Sequence, residues 1–241
     1  MNKGRKASGT VAGGFRARAL RWGAVAAALA VGLPLLAILL YAFIDPPYSA
    51  LMLRQRLAGT QIRHSWVPLQ RISKNLVRAV VTSEDARFCR HWGVDWNAVS
   101  DAIEEADEEG GSIRGASTIP MQTAKNLFLW SDRSYVRKAA EIPLAYVMST
   151  LWTKRRMIEI YLNIAEWGPG VFGVQAAARH HFRKNASDLT PGEGALLAAA
   201  LPNPHVRRAG RPGPRTRALA SRLQVRAASE GVPLDCIYRD N

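Results

Sequence analysis

Cysteine is scarce in this 241-residue sequence: Cys89 and Cys236 are the only two, far apart and in no Cys/His spacing that would hold zinc. No disulfide framework can be read from them, while one bridge between the pair and two separate thiols both fit. Neither H-E-x-x-H nor G-x-S-x-G occurs, which removes metalloprotease and serine-hydrolase chemistry despite His91, His180 and His181. Period-2 alternation is nearly absent, so the fold class is mainly α with room for a small hairpin at most. No internal repeat interrupts the chain, and its length suits one globular domain plus accessories. Acidic residues are missing altogether from positions 1–44.

That last absence organises the charge. The net charge is +14 with a sequence pI near 10.6, a balance that first suggests nucleic acid. Yet positions 1–44 hold +6 and positions 207–241 hold +5, leaving only +3 on the long body between. A basic groove running across the whole fold is not what this distribution describes, and no nucleic-acid partner is expected. Within the basic N-terminus, Trp22 to Ile44 is a run of 23 uncharged residues, enough at 1.5 Å per residue to cross a hydrocarbon core of about 30 Å. It is longer than a cleaved signal core and runs into Asp45-Pro46-Pro47, so it reads as an uncleaved signal-anchor. The cations before it put the N-terminus in the cytoplasm and the rest outside. The organisation expected is a basic tail (1–21), a transmembrane span (22–44), a stalk (45–70) and a helical domain (71–241) with an arginine-rich end suited to anionic lipid.

Helical periodicity marks the domain. Leu76, Val77, Val80 and Val81 share one face of a helix that Ser73 can cap, and Trp96, Val99 and Ile103 share another. Ser117 or Thr118 can start a third with Pro120 in its first turn, and Ser134 a long one through Trp152 that Pro143 should kink. Met157, Ile158, Tyr161 and Leu162 form the buried stripe of the helix from Lys154. Thr190-Pro191-Gly192-Glu193 combines a capping box with proline at the first helical position, a firm helix start.

Three groups could carry chemistry. Glu84-Asp85 ends an apolar helix beside Phe88, His91 and Trp92, where desolvation raises a carboxylate pKa and makes an acid or base. Glu141 shares a helix face with Arg137 and Lys138, a cation cluster suited to phosphate with the acid orienting a lysine or holding a divalent ion. Gln122, Lys125 and Asn126, one turn apart and preceded by Ser117, offer amide and ammonium donors to sugar or phosphate oxygens. Spacing alone fits an exposed Glu-Asp pair, a surface ion pair and a solvated polar face as well.

In combination these residues resemble a known family. SEDARFCRHWGVDW resembles the first signature of the peptidoglycan glycosyltransferases (glycosyltransferase family 51), E-D-x-x-F-x-x-H-x-G, matched by Glu84, Asp85, Phe88, His91 and Gly93. RGASTIPMQTAKN resembles the second, G-x-S-T-I-x-Q-Q-x-x-K-N, with Met121 where the first glutamine stands. RKAAE (137–141), KRRMIEIYLNIAEWGPGVFGVQAAA and ALLAAALPNP look like the third, fourth and fifth, in family order over 84–204. One span, one such domain and no room for a transpeptidase resemble the monofunctional biosynthetic branch.

The resemblance implies a lysozyme-like helical fold and polymerisation of lipid II into β-1,4-linked glycan strands, releasing undecaprenyl pyrophosphate at the bacterial inner membrane. It implies Glu84 as general base and Glu141 as the second acid of the site. Ser117, Gln122, Lys125, Asn126, Arg133, Arg137 and Lys138 would bind substrate, the cations facing the pyrophosphate, where a divalent cation (Mg or Mn) would also fit. The partners implied are lipid II, the lipid-linked glycan chain, the membrane, and cell-wall synthesis or division proteins. Met121 puts one amide contact in doubt, and Pro143 and Ser149 the local geometry. Leu127 to Trp130 and Leu144 to Trp152 suit either core or a membrane-facing strip. A lysozyme-like lytic enzyme is the alternative reading, which the cation cluster disfavours because glycan hydrolysis has no pyrophosphate to hold.

Overall fold

The computed structural model describes residues 9–109, 115–132, 134–229 and 231–238, and the chain divides into two units, one through Phe43 and one from Ile44. The first holds a single helix, α1 (Gly9–Tyr41). Its stretch Arg18–Tyr41 is long and apolar enough to cross a membrane, with Val31, Leu33, Leu36 and Leu39 all exposed. The helix stops three residues short of the apolar run, at Tyr41 rather than Ile44.

The second unit is mainly α. Residues 45–70 form no free stalk, because they carry α2 (Ala50–Leu57), capped by Ser49 whose hydroxyl accepts from the Met52 amide at 3.1 Å, and β1 (Arg63–His64). The reason is a buried amide. Asn163, at 0 % exposure, donates to Val67 O and accepts from Val67 N, both at 2.9 Å, which ties this segment to the body. Then follow α3 (Lys74–Glu84), α4 (Trp96–Glu109), α5 (Ile119–Phe128), α6 (Tyr135–Leu151) and α7 (Lys154–Ile164). A small hairpin, β2 (Glu166–Gly168) and β3 (Val171–Phe172), places β3 centrally, parallel to β1 and antiparallel to β2. The chain closes with α8 (Val174–Phe182), α9 (Pro191–Ala200), α10 (Pro214–Ser229) and α11 (Asp235–Tyr238).

The expected faces largely hold. Leu76, Val77, Val80 and Val81 of α3 are buried, as are Met157, Ile158, Tyr161 and Leu162 of α7. Helices α3 and α9 meet at Gly194, where a Cβ would lie 3.0 Å from the Leu76 Cα, so a side chain there would push the two helices slightly apart. The capping box of α9 is complete, Thr190 and Glu193 each bonding the other's backbone amide. Ser73 does stand at the start of α3, but its hydroxyl donates to Leu189 O at 2.8 Å rather than capping the helix.

Helix α4 forms at the expected place with a different face inward. Ala102 is buried and Val99 packs on Val94, Met121 and Ala145, whereas Trp96 and Ile103 are exposed. The apolar strip divides likewise: Leu127, Ala145, Met148 and Trp152 are core, while Trp130, Tyr146 and Leu151 face outward. Cys89 and Cys236 form a disulfide across a separation of 147 residues, fastening α11 to the loop after α3.

Candidate active site

The C-terminal end of α3 delivers Glu84, and the loop after it is built to hold that end still. Asp85, buried, accepts from His91 Nε2 at 2.8 Å with one oxygen and from the Ile119 amide at 2.9 Å with the other. The second contact places a carboxylate at the N-terminus of α5, where the helix dipole favours it. Lys154 reaches in from α7 and donates to Phe88 O at 2.6 Å and His91 O at 2.7 Å, its ammonium 4.4 Å from the centre of the Phe88 ring. Burial pushes this lysine down to about 8 against the opposing charge of Asp85. Gly93 adopts φ +92°, and a Cβ there would meet the Ala145 backbone at 2.9 Å. Thr118, the N-cap of α5, donates its hydroxyl to Gly93 O. Asp85, Phe88, His91 and Gly93 thus serve as scaffold, and Glu84 alone of the first signature is left for chemistry.

Glu84 is half-buried and held by neutral donors. Gln122 Nε2 donates to its Oε2 at 3.0 Å and Ser83 Oγ to its Oε1 at 3.2 Å. The Gln122 oxygen in turn accepts from the hydroxyl of fully buried Tyr161 at 3.0 Å, which fixes the amide orientation. Burial raises the Glu84 pKa above its ordinary value; the two hydrogen bonds and the Lys125 charge oppose the rise. The same burial pushes the Tyr161 phenol well above its ordinary value, so it stays a donor. Glu84 opens into a cavity of about 330 Å³ whose lining includes Asp85, Arg87, Ser117, Thr118 and Arg226. Arg226 of α10 donates to Thr82 O, a carbonyl in the last turn of α3, and so braces the end that carries Glu84.

The second acid is differently placed. Glu141 is 2 % exposed, with Arg137 on one carboxylate oxygen and Lys138 on the other at 3.0 Å. Lys138 also donates to Ser117 Oγ at 2.8 Å, and Arg137 to Asp132 O at 2.7 Å. Lys125 makes no side-chain hydrogen bond among the described residues. Burial lowers its pKa first of all, Arg137 and Lys138 lower it further, and Glu141 and Glu84 pull it back. Lys125 therefore stands in the electric field of both acids.

Of the residues expected at the site, Glu84 and Gln122 form one group, and Ser117, Arg137, Lys138 and Glu141 a second, with Lys125 feeling the acids of both. Asn126 is buried within α5. Arg133 lies outside the described residues. Met121, at 2 % exposure, packs with Val94 and Ala145 and faces no substrate space. Its contact is with the core, so the doubt over a missing amide donor falls away. Ser149 is buried too, with its hydroxyl unpartnered among the described residues. The donor set does not fit a divalent cation at Glu141, since both its oxygens are taken by cationic side chains, and no group of three metal-ligating residues occurs among the described residues. Tyr161, Lys154 and Arg226 were not expected here. The apolar stripe of α7 marked Tyr161 as buried, but nothing in the spacing ties α7 or α10 to Glu84.

Comparison with known proteins gives a family and relatives. The family model described as transglycosylase matches residues 52–226. A biosynthetic peptidoglycan transglycosylase of Agrobacterium fabrum is 50% identical over 207 residues, covering 85% of this chain and 91% of the relative. A protein of the same name from Rhodospirillum centenum is 50% identical over 209 residues, 86% of this chain and 90% of its own length. Another, from Pasteurella multocida, is 47% identical over 192 residues, covering 77% and 78%.

Proposed function

This chain belongs to the transglycosylase family, and from that premise we propose how its residues divide the work of a peptidoglycan glycosyltransferase, an enzyme that polymerises glycan in cell-wall synthesis. The domain is the mainly helical, lysozyme-like type, and its substrates are lipid II and the lipid-linked glycan.

Glu84 is the general base. The acceptor sugar's 4-hydroxyl attacks the donor's anomeric carbon: the new O–C bond forms as the C–O bond to pyrophosphate breaks, with inversion from α to β. The hydroxyl proton goes to Glu84 and the bonding electron pair leaves with undecaprenyl pyrophosphate. A raised pKa brings a carboxylate closer to the working pH, where a base is most effective. Gln122, oriented by Tyr161, supports the ionised form without adding charge.

The leaving pyrophosphate gathers negative charge as it departs and needs fixed cations aimed at it. Lys125, Arg137 and Lys138 supply them. Glu141 holds the latter two in position, and Ser117 is bound to Lys138 where sugar or phosphate oxygens would approach. These side chains carry the charge neutralisation that a divalent ion would otherwise supply. The observation that carries the assignment is the pairing of one uncompensated carboxylate with a preassembled cation cluster, which glycan hydrolysis does not require.

The apolar part of helix α1 serves as a single-pass anchor in the cytoplasmic membrane, the six cations before Trp22 holding the N-terminus in the cytoplasm. The Cys89–Cys236 bond supports an oxidising, extracytoplasmic setting for the catalytic unit. Incubation of the full chain with lipid II in detergent tests the function. Polymer formed without added glycan is expected; fragments released from mature glycan, with no polymer, would make it a lytic enzyme.

A further inference from the structure

The C-terminal arginines are not a loose basic tail. Arg207 donates to Ala199 O at 3.0 Å, Arg217 to Pro212 O at 2.6 Å, and Arg226 to Thr82 O. Arg207 and Arg226, with Arg222, line a second cavity of about 440 Å³ whose apolar surface is Pro202, Leu219 and Leu223. That volume lies within the usual range for ligand sites. Ser83 and Arg226 line this cavity and the Glu84 cavity alike, so the two meet at the residue preceding Glu84.

No acidic side chain lines the groove among the described residues. Arg222 is exposed and makes no ion pair among the described residues. Two guanidinium groups, those of Arg207 and Arg222, face this groove beside Arg226, and guanidinium is suited to bind a ligand carboxylate by paired N–H donors that match its two oxygens. The apolar floor narrows the choice further. A bare phosphate has nothing to lay on Leu219 and Pro202, whereas a short peptide offers both carboxylate and aliphatic side chains.

We propose that this groove is the subsite for the peptide carried by the sugar substrate, its carboxylates pairing with Arg222 and Arg207 and its aliphatic side chains resting on Leu219 and Pro202. The inference rests on the reading of the Glu84 cavity as the place where a peptidoglycan sugar reacts. It gives that site a means to select sugars bearing an acidic peptide, because the groove begins one residue from the base. Arg226, already engaged by the end of α3, forms the wall shared by the two cavities.

The test compares two lipid-linked precursors identical in lipid, pyrophosphate and sugars, one with its peptide carboxylates free and one with them amidated. Polymerisation by the full chain is measured in neutral detergent, so that no anionic lipid contributes. The wild type should show the lower KM for the free-carboxylate substrate. Arg222→Gln should raise that KM roughly three- to tenfold, the scale of one partly shielded charged hydrogen bond, and leave kcat and the amidated substrate unchanged. Arg222→Lys should restore part of the preference, and Arg207→Gln should add to the loss. If Arg207→Gln unfolds the chain through its lost bond to Ala199, exposed Arg222 still carries the comparison. A wild type indifferent to amidation, or an Arg222→Gln variant that keeps the preference or weakens both substrates equally, overturns the subsite. Absence of polymer from either substrate with the wild type would instead overturn the polymerase reading itself.

Discussion

Glu84 and Glu141 stand in opposite electrostatic settings. Glu141 is almost fully buried with a cation on each oxygen, whereas Glu84 is half-buried and has only a hydroxyl and an amide as direct partners. Both oxygens of Glu141 are engaged by Arg137 and Lys138, and at 2 % exposure the carboxylate is almost closed to a substrate. One left with neutral donors and a raised pKa has both the basicity and the opening. The contrast teaches how one fold can set two glutamates to different work: in the proposed division, the second acid arranges charge and the first moves a proton.

The largest expected effect comes from breaking the first centre. Glu84→Gln should lower kcat by about 10²- to 10⁴-fold, the usual weight of general base catalysis, with KM nearly unchanged. Because the folded-state pKa of Glu84 is raised, its ionisation at neutral pH opposes folding, and that penalty is fully present above the folded pKa. The same variant should therefore match or exceed the wild-type Tm, a result scanning calorimetry would read. Glu141→Gln breaks the second centre and should show the opposite signature: a loss of about 3 kcal/mol in denaturant unfolding, since two cations lose their buried partner, and a raised KM. If it behaved like Glu84→Gln, with stability kept and kcat alone reduced, the division of labour would be wrong.

Reduction of Cys89–Cys236 sharpens the comparison by touching one side of it. The bond fastens α11 to the loop that carries Asp85 and His91, so reduction should cost roughly 2–4 kcal/mol. Hydrogen exchange should rise around residues 85–95 and not around Arg137 to Glu141; equal loosening of both would refute the local role. The smallest effect belongs to Met121. Met121→Gln inserts an amide among Val94 and Ala145, which should destabilise by about 1–2 kcal/mol and leave kcat unaltered. A gain in activity would mean that the position does face substrate.

Much of this was legible in the chain itself. The mainly α class, the start of α9 and the inward faces of α3 and α7 follow from periodicity and caps, which are local properties. The membrane-length helix likewise needs only composition. What escaped were contacts between distant segments. Residues 45–70 resemble a stalk because their Pro, Gly and polar content hides that one buried amide, Asn163, draws them into the body. Trp96 and Ile103 have helical spacing, yet which face of α4 turns inward depends on Met121 and Ala145, elements away. At the site, signature matching located Glu84, Gln122, Lys125 and Glu141 but not why Asp85 follows Glu84. Only the folded chain joins it to His91 and the α5 amide. Tyr161, through Gln122, and Arg226, through Thr82 O, support the Glu84 end of α3 by tertiary contact alone.

The pH dependence of kcat/KM for the full chain on lipid II tests the central claim most directly. A base must be ionised to accept a proton, so the rate falls as pH drops through the pKa of Glu84. Burial raises that pKa, so the acid limb should lie above the usual glutamate range. Gln122→Leu, which removes a hydrogen bond favouring the ionised form, should move it higher still. An acid limb at or below the ordinary glutamate value, unmoved by that substitution, would contradict the assignment of Glu84 as the base.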